Sequence, residues 1–191
     1  MLHLLLLIIL FCQCNSEVSN GTSTHQLAKI STEFGDMYFE LYDETPKHKA
    51  MFVKLANEQH YDQFTINRVI KDFVIQGGCP DSVKFFKDSP YLLKPEFSDS
   101  IKHKFGALGM GRDDNPEKLS NGCQFYVVTN ENGLPRLDGE YMVFGEMVSG
   151  VTALKSIEAL ETDTTDTPLE SVTFTVSMVD VTAQELKMLQ E

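Results

Sequence analysis

Alternating hydrophobic and polar positions predict short β-strands along most of the chain. Between positions 37 and 42, Met, Phe and Leu alternate with Tyr, Glu and Tyr, which is the period of a half-buried strand. A turn signal at Phe34-Gly35-Asp36 separates this segment from an apolar stretch at 27–31, so the two predict a hairpin. Further strands are predicted at 64–70, 73–76, 107–110, 124–129, 142–148 and 172–179.

Helical spacing of apolar positions appears at two places far apart in the chain. Thr45 followed by Pro46 is typical of a helix start, and the apolar positions then continue to about Asn57. A second helix is predicted after Gly150, and the tail at 183–189 has the pattern of a further short helix. Many short strands with turns between them favour a closed barrel, which leaves no exposed strand edge.

The first residues differ in composition from the rest of the chain. Residues 2–11 form an apolar run interrupted only by His3, and residues 1–16 carry no charged side chain. The run is shorter than the ~20 apolar residues that span a bilayer, and it is typical of a secretory signal peptide, with an uncleaved anchor as the alternative. We therefore predict a signal peptide at 1–16, a flexible leader at 17–26, a globular domain at 27–180 and a C-terminal tail at 181–191.

Three further features bear on the compartment. Asn20 begins an Asn-Gly-Thr acceptor sequence for N-glycosylation. Cys79 and Cys123 remain after removal of the signal peptide and can form a disulfide in an oxidising compartment, although sequence leaves their separation open. The chain ends Met-Leu-Gln-Glu191, which is not a retention signal of the Lys-Asp-Glu-Leu type. We expect localisation in the endoplasmic reticulum lumen or secretion.

Charge and motif searches exclude several functional classes. The net charge of -12 argues against nucleic acids and anionic membranes as main partners. The five histidines are scattered without metal-ligand spacing, and the glycines at 106, 109 and 111 are not followed by a helix start, so no phosphate loop is indicated. We predict neither a metal site nor a cofactor.

Three sequence blocks, in their order and spacing, resemble the cyclophilins, a family of peptidyl-prolyl cis-trans isomerases. The first contains the pattern Arg-x4-Phe-x2-Gln-Gly-Gly between Arg68 and Gly78, which is quite specific. The resemblance covers about 27–179 and implies a mainly β fold, a closed eight-stranded antiparallel barrel capped by two helices. The remaining blocks are Gly-Ala-Leu-Gly-Met-Gly at 106–111 and Ser-Asn-Gly-Cys-Gln-Phe-Tyr at 120–126, followed by Leu-Asp-Gly at 137–139 and Val-Phe-Gly at 143–145.

The resemblance implies catalysis of cis-trans interconversion at X-Pro peptide bonds. Amide resonance imposes a barrier of about 18–20 kcal/mol on this rotation. As the bond twists, the proline nitrogen regains a lone pair, and a fixed donor aimed at it stabilises the twisted state more than either planar state. The matching donor is Arg68, which stays charged and holds several N–H groups in a rigid fork.

The resemblance also implies substrate-binding roles for other positions. Gln76 would hydrogen-bond the substrate and position Arg68, and the backbone at Gly111 and Arg112 would hold the residue before proline. The pocket for the proline ring, with its walls and edge, would be formed by Phe73, Val74, Gln124, Tyr126, Arg136, Leu137 and Tyr141. The implied partners are proline-containing peptides and proteins, bound by a monomer.

Several positions depart from the family pattern. Arg136 stands where cyclosporin-sensitive members carry tryptophan, and the chain has no tryptophan. We therefore expect weak cyclosporin binding, because an indole supplies both apolar area and an N–H donor. We expect isomerase activity to be retained, and the sequence leaves open whether the substitutions reduce its rate. The other departures are Asn67 and Tyr141 for histidine, Val74 for methionine and Arg112 for asparagine.

Two other functions compete with the isomerase. The substitutions motivate a proline-binding chaperone or interaction module with little catalytic activity. A secreted barrel that carries a small apolar ligand would need an open interior. Phe39, Phe125 and Phe144 are predicted to point inward, and side chains of this size fill a small barrel.

Overall fold

The computed structural model describes residues 24–79 and 89–190. The predicted signal peptide at 1–16, residues 17–23 of the predicted leader and Asn20 lie outside the described residues. No helix in the described part of the chain is long and apolar enough to cross a membrane.

Within the described residues, eight strands close into an antiparallel barrel, as predicted. The strands of the barrel are β1 (Thr24–Thr32), β2 (Gly35–Leu41), β3 (Thr65–Ile70), β4 (Val74–Gly78), β6 (Ala107–Met110), β8 (Gln124–Val128), β9 (Met142–Ser149) and β10 (Val172–Thr182). Their order around the barrel is β1-β10-β3-β4-β8-β6-β9-β2. A separate two-stranded sheet, which the sequence analysis missed, pairs β5 (Leu92–Leu93) with β7 (Ser120–Asn121).

The interior of the barrel is filled with aromatic side chains. Phe39, Phe125 and Phe144 are fully buried, as expected from their positions in alternating strands. The Phe125 ring also stacks edge-to-face on Phe174 at a centroid distance of 5.3 Å, which is a favourable aromatic geometry. A filled interior excludes the ligand-carrying barrel.

Three helices accompany the barrel, namely α1 (Pro46–Asn57), α2 (Val151–Glu158) and α3 (Ala183–Gln190). α1 and α2 begin where the sequence predicts, and their apolar faces join the barrel core through Phe52, Leu55, Leu154 and Ile157. α3 has no buried residue.

The start of α1 is capped by a distant carboxylate rather than by Thr45. The Thr45 side chain makes no cap hydrogen bond and instead donates to the carbonyl oxygen of Tyr42. Glu96 accepts the backbone N–H groups of Lys47 and His48, each at 3.1 Å, and also lies 2.6 Å from Nδ1 of His48. A carboxylate at a helix N-terminus satisfies free donors and complements the helix dipole.

Two predicted boundaries are corrected by the sheet. Residues 24–26, assigned to the flexible leader, are the start of β1, because they pair in register with residues 180–182 of β10. Residues 181–190, assigned to the tail, complete β10 and form α3. Residues 24–26 are exposed, so no apolar alternation marked the start of β1 in the sequence.

Candidate active site

One pocket of about 390 Å³ brings together all eleven residues that the sequence analysis assigned to catalysis and substrate binding. It opens on the outer face of β3, β4 and β8, against the segments that follow β6 and precede β9. The lining residues are Arg68, Phe73, Val74, Gln76, Gly111, Arg112, Gln124, Tyr126, Arg136, Leu137 and Tyr141.

Sheet register places the central residues of the pocket in one row. Arg68 on β3 lies opposite Gln76 on β4, and Gln76 lies opposite Tyr126 on β8. Directly opposed residues of antiparallel strands present their side chains on the same face. The row therefore aligns the predicted donor, its neighbouring amide and the floor of the pocket across three strands.

Two glycines of the 106–111 block make room for these side chains. Gly109 lies opposite Tyr126, and a Cβ atom at Gly109 would overlap the Tyr126 ring. A Cβ atom at Gly111 would likewise overlap the Gln124 side-chain amide. Glycine is needed at both places because another side chain approaches the backbone closely.

A buried hydrogen-bond chain supports the floor of the pocket. The Tyr126 hydroxyl lies 2.8 Å from Nε2 of His103, and Nδ1 of His103 lies 2.8 Å from a carboxylate oxygen of Asp138. That oxygen also accepts the backbone N–H of His103 at 2.9 Å. Burial lowers the pKa of His103 and raises that of Tyr126. The neutral imidazole therefore donates from Nδ1 to Asp138 and accepts the Tyr126 hydroxyl at Nε2.

His103 and Asp138 were not predicted from the sequence as parts of the site. His103 was one of the scattered histidines, and Asp138 was noted only as part of the Leu-Asp-Gly block at 137–139. In the sequence, His103 is 35 residues from Asp138 and 23 residues from Tyr126, so no local spacing could have indicated these contacts.

Arg68 is half-exposed at the edge of the pocket. Its guanidinium Nη2 lies 3.5 Å from the Asp166 carboxylate, at the long limit of a hydrogen bond. The backbone carbonyl of Asp166 accepts the N–H of Val69 at 2.8 Å, so the loop before β10 is fixed beside β3. Asp166 is a third residue of the site environment, after His103 and Asp138, that was not predicted from the sequence.

The other two arginines of the pocket cover aromatic rings. The guanidinium carbon of Arg136 lies 4.8 Å from the centre of the Phe73 ring, and that of Arg112 lies 4.5 Å from the centre of Tyr141. Both distances are typical of cation–π contacts. Arg136 thus covers one wall of the pocket at the position where the sequence departs from tryptophan.

A disulfide between Cys79 and Cys123 borders the pocket. The Cα atoms lie 5.5 Å apart, within the range that a disulfide requires. The pair connects the residue after β4 to the residue before β8, and the Gln124 amide donates to the Cys79 carbonyl at 3.2 Å. The pairing that the sequence left open is therefore present beside a predicted wall residue.

Residues 27–179 match the family described as cyclophilin type peptidyl-prolyl cis-trans isomerase/CLD. The chain is 36% identical over 145 residues to peptidyl-prolyl cis-trans isomerase ppi1 of Schizosaccharomyces pombe, covering 74% of this chain and 91% of the relative. It is 35% identical over 144 residues to peptidyl-prolyl cis-trans isomerase-like 2 of Rhizopus delemar, covering 74% of this chain but only 26% of that longer protein.

Solved structures agree with these relatives. The crystal structure of a cyclophilin type peptidyl-prolyl cis-trans isomerase from Cryptosporidium parvum superposes with a TM-score of 0.71 and 26% identity, covering 84% of this chain and 99% of that one. A second structure of that protein was determined in the presence of the dipeptide Ala-Pro. The chain belongs to the cyclophilin-type peptidyl-prolyl cis-trans isomerase family, as the resemblance of its motifs implied.

Proposed function

We propose that this chain catalyses cis-trans isomerisation of X-Pro peptide bonds in proteins that pass through or leave the secretory pathway, and thereby assists their folding. The observation that carries the proposal is the row of Arg68, Gln76 and Tyr126 along one wall of the pocket. The proline-ring wall beside this row is formed by Phe73 and Leu137.

The chemistry requires stabilisation of a twisted amide rather than a covalent step. The guanidinium of Arg68 presents several donors in a planar fork. A donor directed at the proline nitrogen gains strength as that nitrogen loses conjugation, so it lowers the barrier selectively. Gln76, the direct cross-strand neighbour of Arg68, limits the rotamers open to the arginine and binds the substrate backbone.

Two observations support the secretory context. An uncharged apolar segment at 1–16 precedes the domain, and its pattern is typical of a cleaved signal peptide. The Cys79–Cys123 disulfide fits an oxidising compartment, since cytosolic thiols are kept reduced.

The first experiment compares the wild-type protein with the Arg68→Ala variant. The full chain is expressed in a secreting host, recovered from the secretory fraction and checked by mass spectrometry for cleavage near residue 16 and for a glycan on Asn20. Exchange between cis and trans proline signals of a peptide is then measured by NMR. We expect acceleration over the spontaneous rate and a loss of about 100-fold in kcat/KM in the variant.

A matched control separates catalysis from general disruption. Lys54→Gln removes one positive charge from the exposed side of α1, outside the pocket, and should leave the rate unchanged. A folded wild-type protein that does not accelerate exchange would overturn the proposal. If the chain stays in the cytosol of the secreting host and is not cleaved, the proposal of a secretory role is overturned, whereas the isomerase function is not.

A proline-binding module remains the second candidate, and the substitutions at Asn67, Val74, Arg136 and Tyr141 favour it. Binding of an X-Pro peptide without acceleration, unchanged in Arg68→Ala, would identify that function. The weak cyclosporin binding expected from Arg136 is tested separately. Arg136→Trp should tighten cyclosporin binding at least about tenfold, because the indole restores buried apolar area and an N–H donor.

A further inference from the structure

All the arginines of this chain are in its pocket. The sequence contains three arginines, Arg68, Arg112 and Arg136, and each of them lines the same cavity. The other basic residues are lysines and histidines, and none of the lining residues that the structure describes is a lysine or a carboxylate. The pocket is therefore locally cationic in a chain whose net charge is -12.

The three guanidinium groups come from separate parts of the fold. Arg68 lies on β3, Arg112 follows β6, and Arg136 lies on a short 3-10 helix at Pro135–Leu137. Barrel closure brings together cations that repel one another, which costs free energy unless a negative group joins them.

Arg112 carries an unsatisfied donor inside this cluster. Its side chain is only 9% exposed, and its buried Nε atom has no hydrogen-bond partner among the residues that the structure describes. Nη1 donates to the Asn115 carbonyl at 3.2 Å, whereas Nη2 lies 3.7 Å from the Glu140 carboxylate, beyond hydrogen-bond distance. A buried charged donor without an acceptor is costly. A bound anion beside the guanidinium would offset part of that cost through the attraction of opposite charges.

Arg136 is exposed and is held by the Phe73 ring rather than by an acid. In the part of the chain that the structure describes, no carboxylate forms an ion pair with it. Its guanidinium fork, which matches carboxylate and phosphate oxygens in two parallel hydrogen bonds, is available to a ligand.

We infer that this pocket prefers X-Pro segments that carry an anionic side chain, a carboxylate or a phosphoryl group, directly before or after the proline. The inference rests on the proposed isomerase function and names its substrate class. Arg68 serves the proline nitrogen, while Arg112 and Arg136 bind the neighbouring anion.

The acidic surface of the protein does not cancel this preference. Charges farther than about 8 Å are largely screened at physiological ionic strength, so the groups in the pocket dominate. Two carboxylates compete locally, since Glu140 lies 3.7 Å from Arg112 and Asp166 lies 3.5 Å from Arg68. Glu140 also pairs with Lys118 at 2.7 Å, so it shares its charge between two cations.

The test uses two peptide series that differ at one position. In one series the residue before proline is Glu, phosphoserine, Gln or Lys, and in the other the residue after proline varies in the same way. Exchange between cis and trans forms is measured by NMR, which needs no protease with its own sequence preference. In at least one of the two series, we expect kcat/KM to be about tenfold higher for the Glu peptide than for the Gln peptide and to be lowest for the Lys peptide. These differences should shrink in ~0.5 M salt, which screens the charges.

The two sources of the anion are distinguished within that series. If kcat/KM is higher for the phosphoserine peptide than for the Glu peptide, the preferred anion is a phosphoryl group. If it is not higher, the preferred anion is a carboxylate. Equal kcat/KM within twofold for Glu, phosphoserine, Gln and Lys in both series overturns the inference but leaves the isomerase intact. No acceleration of any peptide overturns the isomerase itself.

Variants at exposed positions tie the preference to the arginines. Arg136→Gln should lower the Glu-to-Gln ratio towards one, and Glu140→Gln should raise it by freeing Arg112 and Lys118. Lys54→Gln changes the net charge by the same amount as Arg136→Gln, but Lys54 lies outside the pocket. The Glu-to-Gln ratio of kcat/KM in this variant should therefore match that of the wild type. An unchanged ratio in both Arg136→Gln and Glu140→Gln would show that these groups do not select the substrate.

Discussion

The Tyr126 hydroxyl lies 2.8 Å from Nε2 of His103, and both residues are almost completely buried. Through the Nδ1 contact of His103 with Asp138, this hydrogen bond joins the floor of the pocket to the residue after Leu137. Tyr126 and Leu137, which both line the pocket, are therefore held in a fixed relation by one polar chain rather than by apolar packing alone.

Removing the Tyr126 hydroxyl tests that chain. Tyr126→Phe keeps the ring but leaves the buried Nε2 of His103 without its partner, so we expect a loss of about 1–3 kcal/mol in the free energy of unfolding. Urea denaturation measures this. Tyr38→Phe is the matched control, because its hydroxyl makes only a 3.5 Å contact with Asp36. Equal stabilities of the two variants would contradict the role given to the chain.

Acid should destabilise the protein in the range where histidine titrates. Burial lowers the pKa of His103 and of His48 below their ordinary value near 6.5. The unfolded chain therefore binds protons that the folded one does not, so stability falls as the pH drops below about 6.5 and is regained as it rises again.

The contribution of His103 is measured by replacing it. His103→Gln should reduce the slope of unfolding free energy against pH between about pH 6.5 and 5, while part of the slope remains because of His48. Asp138 and Glu96 have lowered pKa values and lose their stabilising charge at more acidic pH, below that range. A slope unchanged in His103→Gln would refute this assignment.

The disulfide should stabilise the domain substantially. It closes a loop of 44 residues, for which the chain-entropy relation gives about 4 kcal/mol. Thermal unfolding with and without a reducing agent measures the effect, and we expect a lower Tm after reduction. The Cys79→Ser, Cys123→Ser double variant is the control, since its Tm should not respond to reductant. The same response in both proteins would rule out this bond as the cause.

Gly109 should be essential for the position of the Tyr126 ring. Gly109→Ala places a Cβ atom in the volume of that ring, so we expect a loss of more than about tenfold in kcat/KM through displacement of the pocket floor. In a Tyr126→Ala background the same substitution should cost much less, because the ring is gone. Additive effects in this double-mutant cycle would show that the clash is not the cause.

The sequence by itself determined most of the secondary structure, and its resemblance to the cyclophilins implied the set of pocket residues. α1 occupies 46–57 and β6 occupies 107–110, as predicted, because hydrophobic periodicity and start signals are local properties of the chain. The pocket residues followed from the ordered motifs, whose spacing reflects a shared barrel. The two-residue strands β5 and β7 were missed, because a pair of residues is too short for any period.

Only the tertiary structure decided what surrounds those residues. The first residues of β1 belong to the sheet because β10 offers them hydrogen-bond partners, although their own side chains are exposed. The hydrogen bond between His103 and Tyr126 joins positions far apart in the chain, and so does the contact between Asp166 and Arg68. The convergence of all three arginines has the same origin, since closure of the barrel, and not local sequence, sets the distances that govern hydrogen bonds and charge interactions.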